Sequence, residues 1–473
     1  MLYLKIQKFI ILLLALTAVA NSSCMGDSSG ISPPLDELVY PVGLATVNDD
    51  ETLLVVNSNF DLKYNDGTLI AIDLTKLDND STDLPYDEKT GVYTIKESSL
   101  DDFCDSTSTT YCNIDEKSAV DSTQTIRLGA YASDIELTPS KDRALIPVRG
   151  ERAIIEVDIS KNKKNLLDCG QDSSRNCDDA HRITSSDNLS FPIEPYFVRT
   201  MDYEHEENGV KIVETLGFAT HRAGGEVSMF SVSRKTGDSD PVYDNKLIDV
   251  INGVVEGASG IAVNPLNGDI YVAGKRDPSP SVAVLKVLTD LDAGGSYLVN
   301  PWFSQAATIS ISKQMYDGSD ARDIAVSPDG KTGFVVTQSP PALLKLNLET
   351  YEVTDMMSIC TESSKVKLFT DEGNPSTTDD DQLYAFSLCF LTGQIYITNT
   401  EYMIPVIRKT GDGPQDIAFD LKRKLAYIAN FTDSTISIIQ AVPPFNQIKV
   451  KNPKDETDLR ILRIGEPDLP KGY

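Results

Sequence analysis

The stretch ARDIAVSPDGKTGFVVT (321–337) joins two short apolar runs through a tight turn, and similar stretches recur along the chain. Pro328, Asp329 and Gly330 occupy the turn, where residues of these types favour a reversal of the backbone. The other copies are PVGLATVNDDETLLVVN (41–57), ASDIELTPSKDRALIPV (132–148), ASGIAVNPLNGDIYVAG (258–274) and PQDIAFDLKRKLAYIAN (414–430). Recurrence at intervals of tens of residues indicates one supersecondary unit that is used many times.

A third alternating apolar run follows most of these stretches, as in GTLIAIDLT (67–75) and ALLKLNLE (342–349). A fourth run often closes the unit, as in QTIRLG (124–129) and ATISISK (307–313). Four antiparallel strands per repeat form the blade of a β-propeller. The sequence therefore predicts an all-β fold, a propeller of four-stranded antiparallel blades.

The repeats resemble those of the YVTN-repeat β-propellers, whose motif runs Pro-x-x-Ile-Ala-x-Ser-Pro-Asp-Gly-x-Tyr-Val-x-Asn. Residues 320–337 and 413–430 match this motif almost position for position. The resemblance covers about residues 36–465 and implies a propeller. Families of this kind share a fold more than an activity, so the resemblance leaves the function open.

Two weaker units, 194–251 and 363–411, decide the number of blades. In the second of them, QIYITNT (394–400) has the sequence pattern of a second strand, but that assignment leaves the blade one strand short. The blade is complete if SKVKLFT (364–370) is the inner strand, QLYAFSLCF (382–390) the second and QIYITNT the third. The sequence then predicts seven blades that begin near residues 41, 130, 194, 257, 320, 363 and 413, with LRILRIGEP (459–467) as an outer strand at ring closure.

The cysteines support this assignment and indicate an oxidising compartment. Three pairs are expected to form disulfides, two of them short clips across polar loops and the third within the sixth blade. They are Cys104–Cys112, Cys169–Cys177 and Cys360–Cys389. The seventh cysteine, Cys24, is left over, and an odd count in an exported chain calls for an explanation.

The N-terminus supplies that explanation. Lys5 and Lys8 precede FIILLLALTAVA (9–20), the basic and apolar regions of a secretory signal peptide. Two processing sites compete: AVA (18–20) suits simple secretion, whereas NSSC (21–24) places Cys24 where a bacterial lipoprotein carries its lipid. The favoured organisation is a signal peptide at 1–23, a lipid-anchored flexible tether at 24–35 and one propeller domain at 36–473. The expected location is the cell envelope, facing the periplasm or the exterior, with simple secretion as the alternative.

Composition excludes some functions. With 43 Lys and Arg against 71 Asp and Glu, the formal charge of −28 repels phosphate backbones, so no nucleic-acid partner is expected. Only three histidines occur, and neither HExxH nor CxxCH is present, so the chain has few residues for imidazole-based metal or triad chemistry.

One candidate site remains, at the starts of the inner strands. Asp134, Asp323 and Asp416 occupy the same position in three repeats, where Gly43 and Gly260 stand in two others. We expect these carboxylates to ring one mouth of the channel, where they either accept backbone N–H bonds in their own turns or bind a small ligand or Ca²⁺. Insertions at 76–122 and 161–190 join third to fourth strands and so belong to the opposite face.

Two classes of function follow. The favoured one is a non-catalytic binding or scaffold protein with no cofactor, whose partners are the membrane, through the lipid, and an unidentified protein or small molecule. The alternative, implied by propellers related to the YVTN repeats, is an enzyme of the lactonase or quinoprotein-dehydrogenase type with its site at the central channel. Such an enzyme would need convergent channel residues with perturbed pKa values.

Overall fold

The computed structural model is a closed ring of seven blades around a central channel, built almost entirely of strands. The structure describes residues 30–77, 86–87, 89–90, 92–94, 110–114, 119–162, 165–186, 188–207, 209–237, 239–275, 281–288, 301–311, 320–372, 381–452 and 455–465. The predicted signal peptide, Cys24 and Cys104 lie outside these residues. No helix among the described ranges is long and apolar enough to cross a membrane.

Among the described residues, the first two blades and their insertions contain twelve strands and two short 3-10 helices, Leu74–Leu77 and Asp179–His181. The strands are β1 (Pro41–Val47), β2 (Thr52–Asn57), β3 (Gly67–Asp73), β4 (Tyr86–Asp87), β5 (Val92–Thr94), β6 (Tyr111–Ile114), β7 (Ile126–Leu128), β8 (Glu136–Leu137), β9 (Arg143–Val148), β10 (Ala153–Ile159), β11 (Leu167–Asp168) and β12 (Arg182–Ile183).

The third, fourth and fifth blades have four strands each, in chain order. They are β13 (Pro195–Glu207), β14 (Val210–His221), β15 (Glu226–Thr236), β16 (Val242–Ile251), β17 (Ala258–Val263), β18 (Ile270–Gly274), β19 (Ser281–Leu288), β20 (Trp302–Ser310), β21 (Ala321–Val326), β22 (Thr332–Gln338), β23 (Pro341–Asn347) and β24 (Glu352–Ser358).

The last two blades complete the ring. Their strands are β25 (Ser363–Asp371), β26 (Gln382–Cys389), β27 (Gln394–Asn399), β28 (Ile404–Lys409), β29 (Pro414–Asp420), β30 (Leu425–Asn430), β31 (Thr435–Gln440), β32 (Lys449–Asn452) and β33 (Asp455–Ile464).

Within the blades, successive strands pair antiparallel, and in most blades the inner strand contacts that of the next. The first and last blades touch through β1 and β29, which closes the circle. The prediction of seven four-stranded blades is confirmed. So is the order of the sixth blade, where QIYITN forms the third strand, β27, between β26 and β28.

The insertion at 161–190 differs from a plain connection between a third and a fourth strand. Its two short strands, β11 and β12, both pair with β10 and share the outer position of the second blade. The sequence did not indicate this, because two-residue strands leave no alternating pattern.

Ring closure joins distant parts of the chain. β33 pairs with β31 at the outer edge of the seventh blade, as predicted for LRILRIGEP. It also pairs in parallel with β6, and β32 pairs in parallel with β5, although β5 and β6 belong to the insertion of the first blade. The guanidinium Nε of Arg463 donates to the side-chain oxygen of Asn113 over 2.6 Å, across 350 residues of sequence. The insertion at 76–122 therefore locks the two ends of the ring together.

The core lies between adjacent blades. Phe386 and Phe445 are buried between the sixth and seventh blades, where Phe386 meets Phe419 with ring centroids 5.0 Å apart. Each fully buried side chain of this size contributes about 1.5–3 kcal/mol by leaving water. Apolar faces on both sides of each sheet explain why the second strands read as continuous apolar runs.

Two of the predicted disulfides are present. Cys169–Cys177 has a Cα–Cα distance of 5.0 Å, and Cys360–Cys389 one of 5.8 Å. Cys112 is buried and disulfide-bonded, and its predicted partner Cys104 lies outside the described residues.

Candidate binding bowl at the channel mouth

Seven residues occupy one equivalent position near the start of the inner strands. In most blades a break in the pairing register precedes this position, which turns the residue toward the channel and the next blade. In ring order they are Gly43, Asp134, Phe197, Gly260, Asp323, Lys365 and Asp416. The three aspartates predicted from the sequence thus stand at the channel.

Each of these aspartates ties its blade to the next one. The carboxylate of Asp134 accepts from the backbone N–H of Val198 over 3.2 Å, that of Asp323 from Val366 over 3.0 Å. Asp416 accepts from Leu44 over 2.8 Å and so joins the last blade to the first. The expected backbone hydrogen bonds are present, but they reach the neighbouring blade instead of the turn that carries each aspartate.

The glycines make room for this arrangement. A Cβ on Gly260 would lie 2.4 Å from the Cα of Asp323, and one on Gly43 would lie 3.1 Å from the backbone of Asp134. Each glycine therefore belongs to the blade before an aspartate, and the absence of a side chain lets that aspartate approach.

Cations from the third and sixth blades neutralise the carboxylates, and one of them, Lys365, is fully buried. The ammonium of Lys365 lies 2.6 Å from Asp134 and 2.9 Å from Asp416, and all three side chains are at most 1% exposed. Lys367 lies 3.0 Å from Asp416. The guanidinium of Arg199 lies 2.9 Å from Asp134. The channel is thus filled by an ion-pair cluster, which is the form in which buried charges are tolerated.

The pKa values of two carboxyls in this cluster diverge. Burial opposes ionisation of Asp416, but the ammonium groups of Lys365 and Lys367 outweigh it and lower its pKa to about 2. Burial raises the pKa of Asp323 to about 6, because Arg199 and Lys365 offset only part of the desolvation. One carboxylate oxygen of Asp323 is buried and has no hydrogen-bond partner among the described residues.

This geometry bears on the expectation of Ca²⁺. The ammonium of Lys365 already lies between Asp134 and Asp416, where a shared cation would bind. A hard cation would have to displace it. Elsewhere in the described chain, Glu156, Asp158 and His181 come together closely enough for a metal ion. Arg143 pairs with both carboxylates there, 3.1 Å from Glu156, so that group is also an ion-pair cluster.

Above the ion pairs, a bowl of about 290 Å³ opens at the same end of the channel. Its floor is made of the residues that directly precede the seven channel positions. They are Val42, Ser133, Tyr196, Ser259, Arg322, Ser364 and Gln415. Asp134, Asp323 and Asp416 are therefore one layer deeper than the lining, and each is completely buried.

The floor hydroxyls hold neighbouring blades together. Ser133 donates to the carbonyl of Tyr196 over 2.7 Å, and Ser259 to that of Arg322 over 3.0 Å. Ser364 donates to the carbonyl of Pro414 over 3.1 Å. Because these bonds link three pairs of blades, the floor is rigid and preformed.

The wall of the bowl comes from a second equivalent position, at the end of the second strand of each blade. The first residue of each inner strand pairs with a residue of the second strand, and the wall residue directly follows that partner. In ring order these residues are Ser58, Arg149, Arg222, Lys275, Gln338, Phe390 and Phe431. All except Gln338 line the bowl. Cations occupy the second to fourth blades and phenyl rings the sixth and seventh.

One side of the bowl is cationic. We call Arg149, Arg222, Lys275 and Arg322, from the second to fifth blades, the cationic arc. Arg149 lies 3.3 Å from Glu194, and Arg322 2.8 Å from Asp320. The Nε–H groups of Arg149 and Arg322 are nevertheless buried without an acceptor in the described structure.

The other side is aromatic. Phe60, Phe390 and Phe431, from the first, sixth and seventh blades, form an aromatic arc. The ring centroid of Phe431 lies 5.4 Å from that of Phe60 and 5.9 Å from that of Phe390. The two arcs occupy complementary runs of blades, so they face each other across the bowl.

Sequence reasoning missed the bowl, although the signal was present. Arg149, Arg222 and Lys275 follow the second strand in three consecutive repeats, and Phe390 and Phe431 follow it in two others. Reading the aligned repeats by column at that position would have separated a cationic from an aromatic side. Lys365 was also missed, although it stands in the same column as the three aspartates.

Comparisons with known proteins identify no family. No family model matches the chain, and no curated protein matches it. Among solved structures, hydrazine synthase of Kuenenia stuttgartiensis is similar at 10% identity with a TM-score of 0.46, over 88% of this chain and 98% of that one. A putative 6-phosphogluconolactonase of Bacteroides fragilis is similar at 13% identity with a TM-score of 0.43, over 79% and 85%. The pairing of the strands alone establishes the fold.

Proposed function

We propose that this protein is an exported, lipid-anchored propeller that binds a small molecule in the bowl and does not act on it chemically. The observation that carries the proposal is the bowl itself, a preformed cavity at the channel mouth that combines apolar rings with convergent charged groups. Concave sites of this composition are typical of ligand binding. The basic and apolar segment before Cys24 supports export and anchoring.

The binding role is favoured over the enzymatic one by the placement of the carboxylates. Asp134 and Asp416 are held by Lys365 beneath the floor, where they serve to join blades. Asp323 has the raised pKa of an acid–base catalyst, and it is the residue on which the enzymatic alternative would depend. It is completely buried and lies behind Arg322, however, so a substrate in the bowl would not reach it.

The experiment is a thermal-shift screen of a small-molecule collection against the wild-type protein and Gln415→Trp. Gln415 lies on the floor and is partly exposed, so an indole at this position fills the cavity without disturbing the ion pairs. We expect some compounds to raise the Tm of the wild type but not that of Q415W. Compounds that stabilise both proteins equally, or a screen without any hit, would contradict binding in the bowl.

A further inference from the structure

The bowl carries a sign of charge opposite to that of the chain. The protein has a formal charge of −28, yet four cationic residues line the bowl. Glu362 is the one anionic residue among the described lining residues. A concave surface with cations concentrated on one wall focuses a positive potential into the cavity.

Within the described structure, two members of the cationic arc, Arg149 and Arg322, each keep one donor without an acceptor. The carboxylates of Glu194 and Asp320 engage the terminal nitrogens of Arg149 and Arg322, while the buried Nε–H of each guanidinium lacks an acceptor. The guanidinium of Arg222 lies 5.1 Å from the ring of Tyr196, against which it packs. Each guanidinium has five N–H donors, and the side chains of Arg149 and Arg322 are 24% and 20% exposed, so a ligand in the bowl can add an acceptor. An acidic oxygen is the strongest acceptor for guanidinium groups.

The aromatic arc requires a different chemistry at the other end of the ligand. Phe60 is 52% exposed, and its ring faces the same cavity as those of Phe390 and Phe431. Covering exposed phenyl rings with an apolar ring is favourable, because it removes apolar surface from water and allows the rings to pack against each other. A simple inorganic anion would leave this side of the bowl unused.

We infer that the ligand is a small organic anion with an apolar ring, bound with its phosphate or carboxylate group against the cationic arc and its ring against the aromatic arc. This inference rests on the proposed function and specifies the chemistry of the same bowl. The volume of about 290 Å³ lies at the lower end of the range typical of small-molecule sites, about 300–1,000 Å³, which suits a single ring and its acidic group.

Calorimetric titration of the full-length protein with matched probes tests the inference. The probes are phenyl phosphate, inorganic phosphate, benzyl alcohol and benzylammonium. We expect phenyl phosphate to bind at least about tenfold more tightly than each of the other three, because only it engages both arcs. Its affinity should fall with ionic strength, since the arc is partly open to solvent.

Two variants separate the contributions. Arg149→Gln combined with Arg222→Gln should weaken phenyl phosphate by roughly tenfold per arginine, about the loss expected for one charge-assisted hydrogen bond. Phe60→Ala should weaken phenyl phosphate but leave inorganic phosphate unchanged. Lys409→Gln, an exposed position on β28, and Tyr402→Ala, 63% exposed, are the matched controls and should leave both affinities unchanged.

The outcomes distinguish this inference from the proposed function. Benzyl alcohol or benzylammonium binding as tightly as phenyl phosphate would overturn the anionic ligand while leaving a binding bowl in place. Binding of phenyl phosphate that is insensitive to R149Q/R222Q would also overturn it. Failure of both phenyl phosphate and benzoate, its carboxylate counterpart, to bind overturns the inference, and the Q415W screen then decides independently whether the bowl binds any small molecule.

Discussion

The ammonium of Lys365, on the inner strand of the sixth blade, lies 2.6 Å from the carboxylate of Asp134, just before the inner strand of the second. Three steps around the ring separate these blades, so the pair spans the channel. It connects parts of the protein that share no strand pairing, and the same ammonium lies 2.9 Å from Asp416 of the seventh blade.

Replacing Lys365 with Met should therefore destabilise the ring strongly. The change leaves Asp134 and Asp416 without their shared partner, and loss of one member of a buried ion pair costs about 3–5 kcal/mol. Urea unfolding measures the effect. Lys367→Met is the matched control, since Lys367 is 26% exposed and contacts only one of these aspartates, and it should cost clearly less.

The triple variant K365M/D134N/D416N completes this comparison. It removes the stranded charges together with the cation, so it should recover much of the stability that K365M loses. A K365M protein within about 1 kcal/mol of the wild type would contradict the assigned role of the pair.

Asp323 should make stability fall as the pH rises. Its pKa is about 6 in the folded protein against an ordinary value of 3.8 for an aspartate carboxyl, so folding favours the protonated form. Its contribution is fully present below pH 3.8, declines as the pH rises through 6 and is constant above that. Asp323→Asn removes this dependence, and its unfolding free energy relative to the wild type should increase by about 1 kcal/mol between pH 5 and pH 7.5.

Denaturant unfolding at the two pH values measures this change, and Asp355→Asn, an exposed position on β24, is the control. Parallel pH profiles for wild type and D323N would show that Asp323 ionises freely in the fold. Asp416 has the opposite sign, because its pKa of about 2 lies below 3.8. Its contribution is present above pH 3.8 and is lost as the pH falls toward 2.

The two disulfides should differ in their effects. Cys360–Cys389 closes 29 residues and lies within the sixth blade, whereas Cys169–Cys177 closes eight residues of an insertion. On loop-closure entropy, C360S/C389S should cost about 3–4 kcal/mol and C169S/C177S about 2–3 kcal/mol. Thermal unfolding compares the variants. Limited proteolysis should show local cleavage near residues 161–190 in C169S/C177S alone. A greater loss of Tm in C169S/C177S than in C360S/C389S would contradict this prediction.

Cys24 is expected to carry the lipid. Expression in a bacterium that processes lipoproteins, with an alkynyl fatty acid in the medium, should label the wild type and Ser22→Ala but not Cys24→Ala. Mass spectrometry of the mature N-terminus distinguishes a lipid-modified Cys24 from simple secretion. An unmodified chain that starts at Asn21 would establish simple secretion instead.

The repeats predicted the blades because every blade is built from the same alternation of apolar and polar residues and the same turns. They also predicted that Asp134, Asp323 and Asp416 share a position, since register within a repeat is periodic. The partners of these aspartates were not predictable in the same way. Lys365 pairs across the channel, and Arg199 stands two residues beyond the equivalent channel position, held by Phe197, so neither contact repeats from blade to blade.

The bowl also could not be predicted from what the repeats have in common. A binding surface on a propeller consists of the positions at which the repeats differ, so averaging the repeats erases it. Arg149 and Phe431 occupy one column of the alignment yet have opposite chemistry. Their relation becomes visible only when the ring places them on facing walls.

The pairing of β33 with β6 sets the order in which this molecule is completed. The strand that ends at Ile464 must reach a segment near Tyr111, which lies some 350 residues earlier in the chain. Until then, the outer edges of β31 and β6 present unpaired backbone groups that invite pairing with other chains. We expect the newly made chain to keep these edges open until its last strand is available, so its period of greatest risk of aggregation ends only when β33 takes its place beside β31 and β6.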